Sequence, residues 1–484
     1  MKKKHVFIQS DLGNGKSVFL SQVSAQLALN GYNVWEMTDF EGHACKDLDI
    51  LAQNGEHHII VIDEVSDQGD FLDYYTATLP NNITLLLSDR SVSSFSNIEE
   101  LSKCGIELRV LSLDKLSDDE IGELIVILDD QNLWKRYATW SKERKNTLIR
   151  ETYNSQLANV LLELLKSPDI KGRISSLIDE LLRNDRHKKT LLSIALCDVF
   201  GIRKEPSNIS DIAGNEDIFT AKLRGTNAFK SLFLVNADST IVTKSSILSL
   251  FIINSLFTEN YVVEHCLEIM SRIDHRDEYH FKRLHSKLRT FHNVEKLLPQ
   301  KQSHLNNYFA ELKRRCTWLR QHPHYWVQYA MCRLSFGDIL QAQEHLTSAY
   351  DFATKRPKDY HTDNIDTQQA RLFLMAACDG SKSPSEIAII FDKAHRLLSN
   401  VKNDNHRFRQ VVKYEEVYQK SYFKINRGQQ ANFEHACKAM LENAIEARNS
   451  STAAERTNNI EKSIIVLTEI TESIKEKREI KKKR

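Results

Sequence analysis

Residues 10–17 combine glycines, a lysine and a serine at a spacing that suits phosphate binding. The segment reads S-D-L-G-N-G-K-S and follows a short apolar run, Val6–Ile8, which is typical of a buried strand. After it, Phe19, Val23 and Leu27 recur at helical spacing. This order of strand, loop and helix predicts a phosphate loop, in which backbone N–H groups and the helix N-terminus face the phosphates.

Seven residues of this loop are predicted to hold the nucleotide: Leu12, Gly13, Asn14, Gly15, Lys16, Ser17 and Val18. Gly13 and Gly15 allow the backbone to close around phosphate without a Cβ. We expect Lys16 to place its charge between the β- and γ-phosphates, and Ser17 to offer its hydroxyl to Mg²⁺. Ser10 stands where the G-x-x-x-x-G-K-[ST] pattern has glycine; this position starts the loop, so we expect serine to be tolerated.

Two acidic residues and an arginine follow later apolar runs. Asp63 and Glu64 come after residues 59–62, a β-branched run typical of a parallel strand buried on both faces. Asp63 is predicted to hold the water shell of Mg²⁺, and Glu64 to act as general base on the attacking water. Arg90 follows the next such run, where a guanidinium can bind the γ-phosphate as a sensor. Lys16, Glu64 and Arg90 are thus the predicted catalytic set; an acidic strand cap and a surface arginine are the alternatives.

The composition limits the class of protein. With 484 residues, 66 Lys+Arg, 65 Asp+Glu and a net charge of +1, the chain carries no global charge that would collect nucleic acid. It has only 15 Gly and 7 Pro, and seven of the glycines precede residue 110. We therefore predict an α/β nucleotide-binding domain followed by mainly α-helical regions.

The cysteines and apolar runs indicate where the protein works. The eight cysteines are far apart and include no C-x-x-C pair, which fits buried thiols in a reducing compartment. The longest apolar run, residues 247–257, is too short to span a bilayer and predicts a buried helix. No signal peptide is readable behind the basic N-terminus. We expect a cytoplasmic protein without a membrane partner.

Changes of pattern divide the chain into five regions. Ser117 and Glu120 form a capping box ahead of a helical stretch. Helices around 191–200 and 219–229 precede two short β-runs, 232–235 and 241–243, which predict a hairpin and a winged-helix unit. The predicted boundaries are 1–115 (α/β domain), 116–189 (helical), 190–260 (winged-helix-like), 261–474 (helical repeats) and 475–484 (a basic tail expected to fray).

One helical stretch has the period of a known repeat. The tetratricopeptide (TPR) spacing of one aromatic, then +3, +4, +16, +20 and +23, is matched by Trp326, Tyr329, Ala330, Ala342, Leu346 and Ala349. A second unit around Leu374, Phe391 and Ala394 matches less well. The pattern predicts an α-solenoid of TPR-like helix pairs that binds a protein, and a general helical bundle is the alternative.

Together these features resemble the STAND class of P-loop NTPases, which includes NACHT and NB-ARC domains. The matching residues are Lys16-Ser17, Asp63-Glu64, the strand ending with Ser88 and Arg90, and the start of the helical region at 116–120. The resemblance implies binding of ATP or ADP with Mg²⁺, slow ATP hydrolysis and a lid formed by 116–189. It also implies a protein trigger sensed by the repeats, homo- or hetero-oligomerisation, control of an effector, and a role in anti-phage defence.

Three features depart from this class, and two other functions remain open. In this class an effector domain commonly precedes the NTPase, whereas here the phosphate-loop strand begins five residues after Met1, so we expect the effector to be a separate partner or this chain to be part of something larger. Pro168 is the lid's one proline, and residues 244–246 lack the histidine that often reads ADP. One rival is an ATP-regulated transcriptional regulator, although few positive charges near the hairpin argue against a nucleic-acid partner. The other is a nucleotide-bound scaffold that never hydrolyses ATP.

The histidines at 275, 280, 285 and 292 are five, five and seven residues apart. At this spacing no helix face pairs them as ligands for a metal.

Overall fold

The chain folds into two compact units, residues 1–258 and 259–484. The computed structural model describes residues 4–37, 43–63, 65, 68–89, 98, 101–102, 104, 106–236, 239–243, 246–357, 360–402, 404–450 and 458–483. The first unit holds a parallel sheet at its N-terminal end and helices after it, whereas the elements of the second unit are helical. The expected α/β domain followed by helical regions is therefore confirmed at this level.

Five strands form a parallel sheet in the order β2-β3-β4-β1-β5. Their bounds are β1 Lys4–Gln9, β2 Asn33–Glu36, β3 His58–Ile62, β4 Ile83–Asp89 and β5 Glu107–Ser112. Strand β3 is buried along its whole length, as expected for a strand that is covered on both faces. The strands predicted from the apolar runs Val6–Ile8 and 59–62 are confirmed, because these runs lie in β1 and β3.

Helices cover both faces of this sheet. They are α1 Lys16–Leu29, α2 Ala44–Gln53 and α3 Gly69–Thr78. Leu20 of α1 packs with Ile8 on one face, while Tyr75 of α3 contacts His5 on the other, with ring centroids 5.8 Å apart. The chain leaves β1 toward β2 on one side and leaves β4 toward β5 on the other. In such sheets, ligands bind beyond the carboxyl ends of the strands where the direction reverses, here β1 and β4.

The rest of the first unit is mainly helical, with one hairpin. Its α-helices are Asp118–Asp130, Lys142–Thr147, Leu157–Leu165, Pro168–Leu182, Asp185–Phe200, Pro206–Ala213, Ala221–Arg224, Asn227–Leu232 and Ser246–Leu256. The capping box is confirmed, since the Ser117 hydroxyl accepts from the Glu120 N–H and the Glu120 carboxylate accepts from the Ser117 N–H. The hairpin is also confirmed, because β6 Phe233–Val235 and β7 Ile241–Thr243 pair antiparallel.

The prediction of one helix over 219–229 is wrong. The structure instead has two short helices, because Thr226 interrupts the turn and caps the second one. Its hydroxyl accepts from the Phe229 N–H at 3.1 Å. The apolar run 247–257 does form a buried helix, with Phe251 fully inaccessible. Among the described residues, no helix has both the length and the apolar composition needed to cross a bilayer.

The second unit consists of successive helices. They are Glu259–Ile273, Tyr279–Leu288, Phe291–Leu297, Gln302–Arg315, Pro323–Ser335, Ile339–Ala353, Asp363–Ala377, Pro384–Asn400, Asp404–Val411, Tyr414–Lys420, Arg427–Ser450 and Asn458–Lys483. The helices Pro323–Ser335 and Ile339–Ala353 pack together through fully buried small residues, including Ala330, Ala342 and Ala349. These are positions of the repeat pattern, and they allow the two helices to approach closely.

The basic tail is not frayed over residues 475–483. These residues continue the last helix, whose inner side is held by buried Ile470 and Ile474. Lys477 lies 4.5 Å from the ring centroid of Phe423. Charge alone suggested fraying, but the apolar residues just before the basic run anchor the helix.

Candidate functional site

Two glycines of the loop between β1 and α1 have a left-handed backbone. Gly13 and Gly15 both have φ of +85°, in the left-handed region that glycine adopts without strain. Gly15 is the N-cap of α1, so the first N–H groups of the helix lie at the loop. At this end, the helix dipole and the unpaired amides give a positive partial charge.

The two glycines have different surroundings. A Cβ added to Gly15 would have no neighbour within 4 Å, so the space beside this residue is open. A Cβ added to Gly13 would lie 2.1 Å from Ile247 Cδ1 and 3.3 Å from Ala158 Cβ. Gly15 therefore borders open space, whereas Gly13 is packed against the rest of the unit.

Four polar side chains converge beside the loop. Lys16 contacts the carboxylate of Asp63, and its Nζ lies 3.2 Å from the hydroxyl oxygen of Ser88. Ser17 donates to Asp63 Oδ2 at 2.8 Å, and Ser88 donates to Asp63 Oδ1. The Lys16 side chain is 10% exposed and that of Asp63 35%, so their attraction is only partly screened by water.

Parallel strands bring these groups together. Asp63 directly follows β3 and Ser88 lies near the end of β4, while the loop follows β1. Since β4 pairs with both β1 and β3, the three carboxyl ends meet at one edge of the sheet. An ammonium, a hydroxyl and a carboxylate at a helix N-terminus can together bind phosphate and a hard divalent cation.

Side chains outside the motif fix the loop. Asp114, just after β5, accepts from the Asp11 N–H at 2.6 Å and from Asn14 Nδ2 at 3.5 Å. The side-chain Oδ1 of Asn14, a buried residue, accepts from the N–H of Ala158 at 3.0 Å. Ala158 lies in the first turn of the helix Leu157–Leu165, so the loop is tied to the helical region beyond the sheet.

The remaining residues of the predicted loop and site differ in their burial. Ser10 is fully buried and does not have a positive φ, so serine fits where the pattern has glycine. Leu12 is half-buried, while Val18 is 63% exposed on α1. Glu64 and Arg90 lie outside the described residues.

Sequence reasoning did not assign a site role to Ser88 or Asp114. Ser88 has a visible signal, because it is a polar residue at the end of an apolar strand, but the sequence indicates it only as part of the family resemblance. Asp114 had no signal, because its contact with Asp11 joins residues 103 positions apart. Only the pairing of β1 with β5 brings it near the loop.

Comparisons with known proteins give little further information. No protein-family model matches the sequence, and no curated protein matches it. Among solved structures, the chain is similar to a signal transduction ATPase with numerous domains (STAND) protein with a tetratricopeptide repeat sensor from Pyrococcus horikoshii. The identity is 13% and the TM-score 0.26, over 92% of this chain and 68% of that one. This similarity is too weak to assign roles to the residues of the site.

Proposed function

We propose that the chain is an ATP-dependent signalling switch whose nucleotide site is the loop 10–17 with Asp63. The observation that carries the proposal is the convergence of Lys16, Ser17 and Asp63 beside a left-handed Gly15 that borders open space. Each of these features suits a triphosphate with Mg²⁺. A strand cap would need the carboxylate of Asp63 but not the lysine and serine beside it.

Each side chain has a distinct task in this proposal. Lys16 would exchange Asp63 for the β- and γ-phosphates. Ser17 and Asp63 would then hold the cation directly and through water. Mg²⁺ would neutralise charge on the β- and γ-oxygens. Glu64 is proposed as the base that orients water, and Arg90 as the γ-phosphate sensor, with slow hydrolysis as the outcome.

The contacts of the loop explain how nucleotide would act as a switch. Asn14 is bonded to Ala158 of the predicted lid, and Gly13 faces Ile247 of the predicted winged-helix region. Phosphate that reshapes the loop would therefore disturb two other parts of the first unit. A ligand shifts a conformational equilibrium only through such differential contacts.

The proposed partners follow from the helical repeats and the family resemblance. The close helix pairs of the second unit offer surfaces for a protein trigger or an effector chain, and we include oligomerisation and anti-phage defence in the proposal. These finer parts rest on the order of motifs along the chain.

The experiment is a titration of the full chain with a fluorescent ATP analogue and Mg²⁺. Lys16→Ala should weaken binding by about 10- to 100-fold, because a charged hydrogen bond to phosphate is lost. Lys171→Ala is the matched control, since Lys171 is an exposed lysine of the same unit. Equal affinity of the Lys16 variant and the control, or no binding by any chain, contradicts the proposal.

A second variant separates a switch from a scaffold. Glu64→Gln should bind ATP as the unchanged chain does but accumulate the ATP-bound form, because hydrolysis is slowed. Measurement of bound ATP and ADP after a fixed interval gives the readout. Identical ATP-to-ADP ratios in the two chains favour a nucleotide-bound scaffold.

A further inference from the structure

A second cluster of chemically reactive side chains lies in the other unit. Asp274, His285 and Cys316 each place one donor atom within 4.8 Å of the other two. His285 Nε2 is 3.1 Å from Asp274 Oδ1, and the Cys316 thiol also hydrogen-bonds this carboxylate. The cluster is shielded from solvent, since the Asp274 side chain is 7% exposed, that of His285 9% and Cys316 is fully buried.

We propose that Asp274, His285 and Cys316 bind a Zn²⁺ ion that joins three segments of the second unit. Asp274 follows the helix Glu259–Ile273, His285 lies in the next helix, and Cys316 ends the helix Gln302–Arg315. An ion coordinated by all three side chains would cross-link these segments. This inference is independent of the proposed nucleotide function.

The donor set matches the chemistry of zinc. Zinc accepts cysteine sulfur, histidine nitrogen and carboxylate oxygen in tetrahedral sites, and adjacent ligand atoms then lie about 3–4 Å apart, given metal–ligand bonds of about 2.0–2.3 Å. The 3.1 Å separation of the His285 and Asp274 atoms falls in this range. Cysteine binds as thiolate, so its proton would pass to solvent on binding. Water would complete the fourth position.

The negative charge of Asp274 is a second reason to propose a zinc ion in this cluster. The carboxylate contacts the His285 imidazole, the Cys316 thiol, the Trp318 indole N–H at 2.8 Å and, at 3.8 Å, the exposed His275 imidazole, none of which is a permanent cation. A buried carboxylate without a full countercharge is unfavourable, and a dication supplies that charge. The Trp318 bond is the kind of outer contact that orients a ligating carboxylate.

A nucleophilic role for Cys316 fits the geometry less well. Its thiol contacts the carboxylate and is fully buried, so no substrate reaches the sulfur. Histidine spacing gave no hint of the site, because its other two ligands lie 11 residues before and 31 residues after His285. Only the packing of the helices brings the three together.

The test is metal binding by the full chain, first stripped with a chelator. After dialysis against Zn²⁺ with excess Mg²⁺, we expect about one tightly held zinc per chain by elemental analysis. Co²⁺ in its place should give a thiolate-to-cobalt charge-transfer band. Cys316→Ser should abolish the band and weaken zinc binding by more than about 100-fold, because even outer-contact changes cost about 10- to 100-fold.

Two further variants keep the test decisive. Cys332→Ser is the matched control, a fully buried thiol of the same unit outside the cluster, and it should leave the band unchanged. Trp318→Phe retains a ring but removes the indole donor, and should weaken binding by about 10-fold; it replaces Cys316→Ser if that variant does not fold. No retained zinc, no sulfur band with Co²⁺, or equal loss in the Cys332 variant would each overturn the proposal.

Discussion

Replacing each loop glycine by alanine separates packing from ligand binding. Gly13 and Gly15 share a φ of +85°, so an added Cβ meets the same backbone strain at both positions. Their surroundings differ, because at Gly13 the new Cβ would lie 2.1 Å from Ile247 Cδ1 and 2.4 Å from its Cγ1, while at Gly15 it has no neighbour within 4 Å. Ile247 is 4% exposed and therefore has little room to withdraw.

The geometry gives an expected magnitude for each change. The left-handed backbone costs a non-glycine residue about 1–2 kcal/mol, which applies to both variants. Overpacking adds about 1–3 kcal/mol at Gly13 alone. Gly13→Ala should thus be the less stable by about 1–3 kcal/mol, and at about 2–4 °C per kcal/mol this is a gap of at least about 2 °C in Tm. For nucleotide affinity the order should reverse, since only Gly15→Ala adds a Cβ to the open space where phosphate is proposed to bind.

Scanning calorimetry and analogue titration measure the two effects. A double-mutant cycle with Ile247→Ala isolates the contact: in that background, Gly13→Ala should cost about 1–3 kcal/mol less than in the unchanged chain. The reasoning is refuted if Gly13→Ala costs the same in both backgrounds, or if Gly15→Ala destabilises the chain more than Gly13→Ala does.

Two further predictions concern charge. Asp63→Asn should remove most of the Mg²⁺ dependence of nucleotide binding, because the carboxylate proposed to hold the cation becomes a neutral amide. An unchanged Mg²⁺ dependence in a nucleotide titration would contradict this role of Asp63. His345 is buried and stacked on Tyr329 at 4.1 Å, and burial, with the charges of Arg333 and Lys313, lowers its pKa to about 4 from 6.5. Between about pH 6.5 and 4, the unfolded chain therefore holds a proton on His345 that the folded chain lacks. The contribution of His345 to the free energy of unfolding is complete above pH 6.5 and falls as the pH is lowered through this window, by about 3 kcal/mol at most. His345→Phe should make the fall of the denaturation midpoint through this window less steep without abolishing it, since burial also lowers the pKa of His322 and of His324 to about 4. An equally steep dependence would contradict the role of His345.

The sheet and its loop could be predicted from the sequence because their signals are local. The apolar runs mark buried strands, and the helical spacing after Ser17 marks α1. The capping box at Ser117 and the hairpin around residues 236–240 also depend on residues within a few positions of each other. Such features are set by backbone sterics and short-range hydrogen bonds.

The contacts that complete the site could not be predicted in this way. Asp114 reaches the loop only because β5 pairs beside β1, and Ile247 reaches Gly13 only through the packing of a helix more than 200 residues later. Both depend on tertiary arrangement, which a single sequence does not encode locally. The short helices around Thr226 were missed for a different reason, since a threonine within an apolar pattern can continue a helix or cap a new one.

Hydrogen–deuterium exchange with and without ATP·Mg²⁺ tests the central claim most directly. If the backbone amides of residues 10–17 bind phosphate, their exchange should slow on nucleotide addition, and Lys16→Ala should abolish the protection. Saturating nucleotide that binds elsewhere, and leaves exchange in this segment unchanged, would contradict the account.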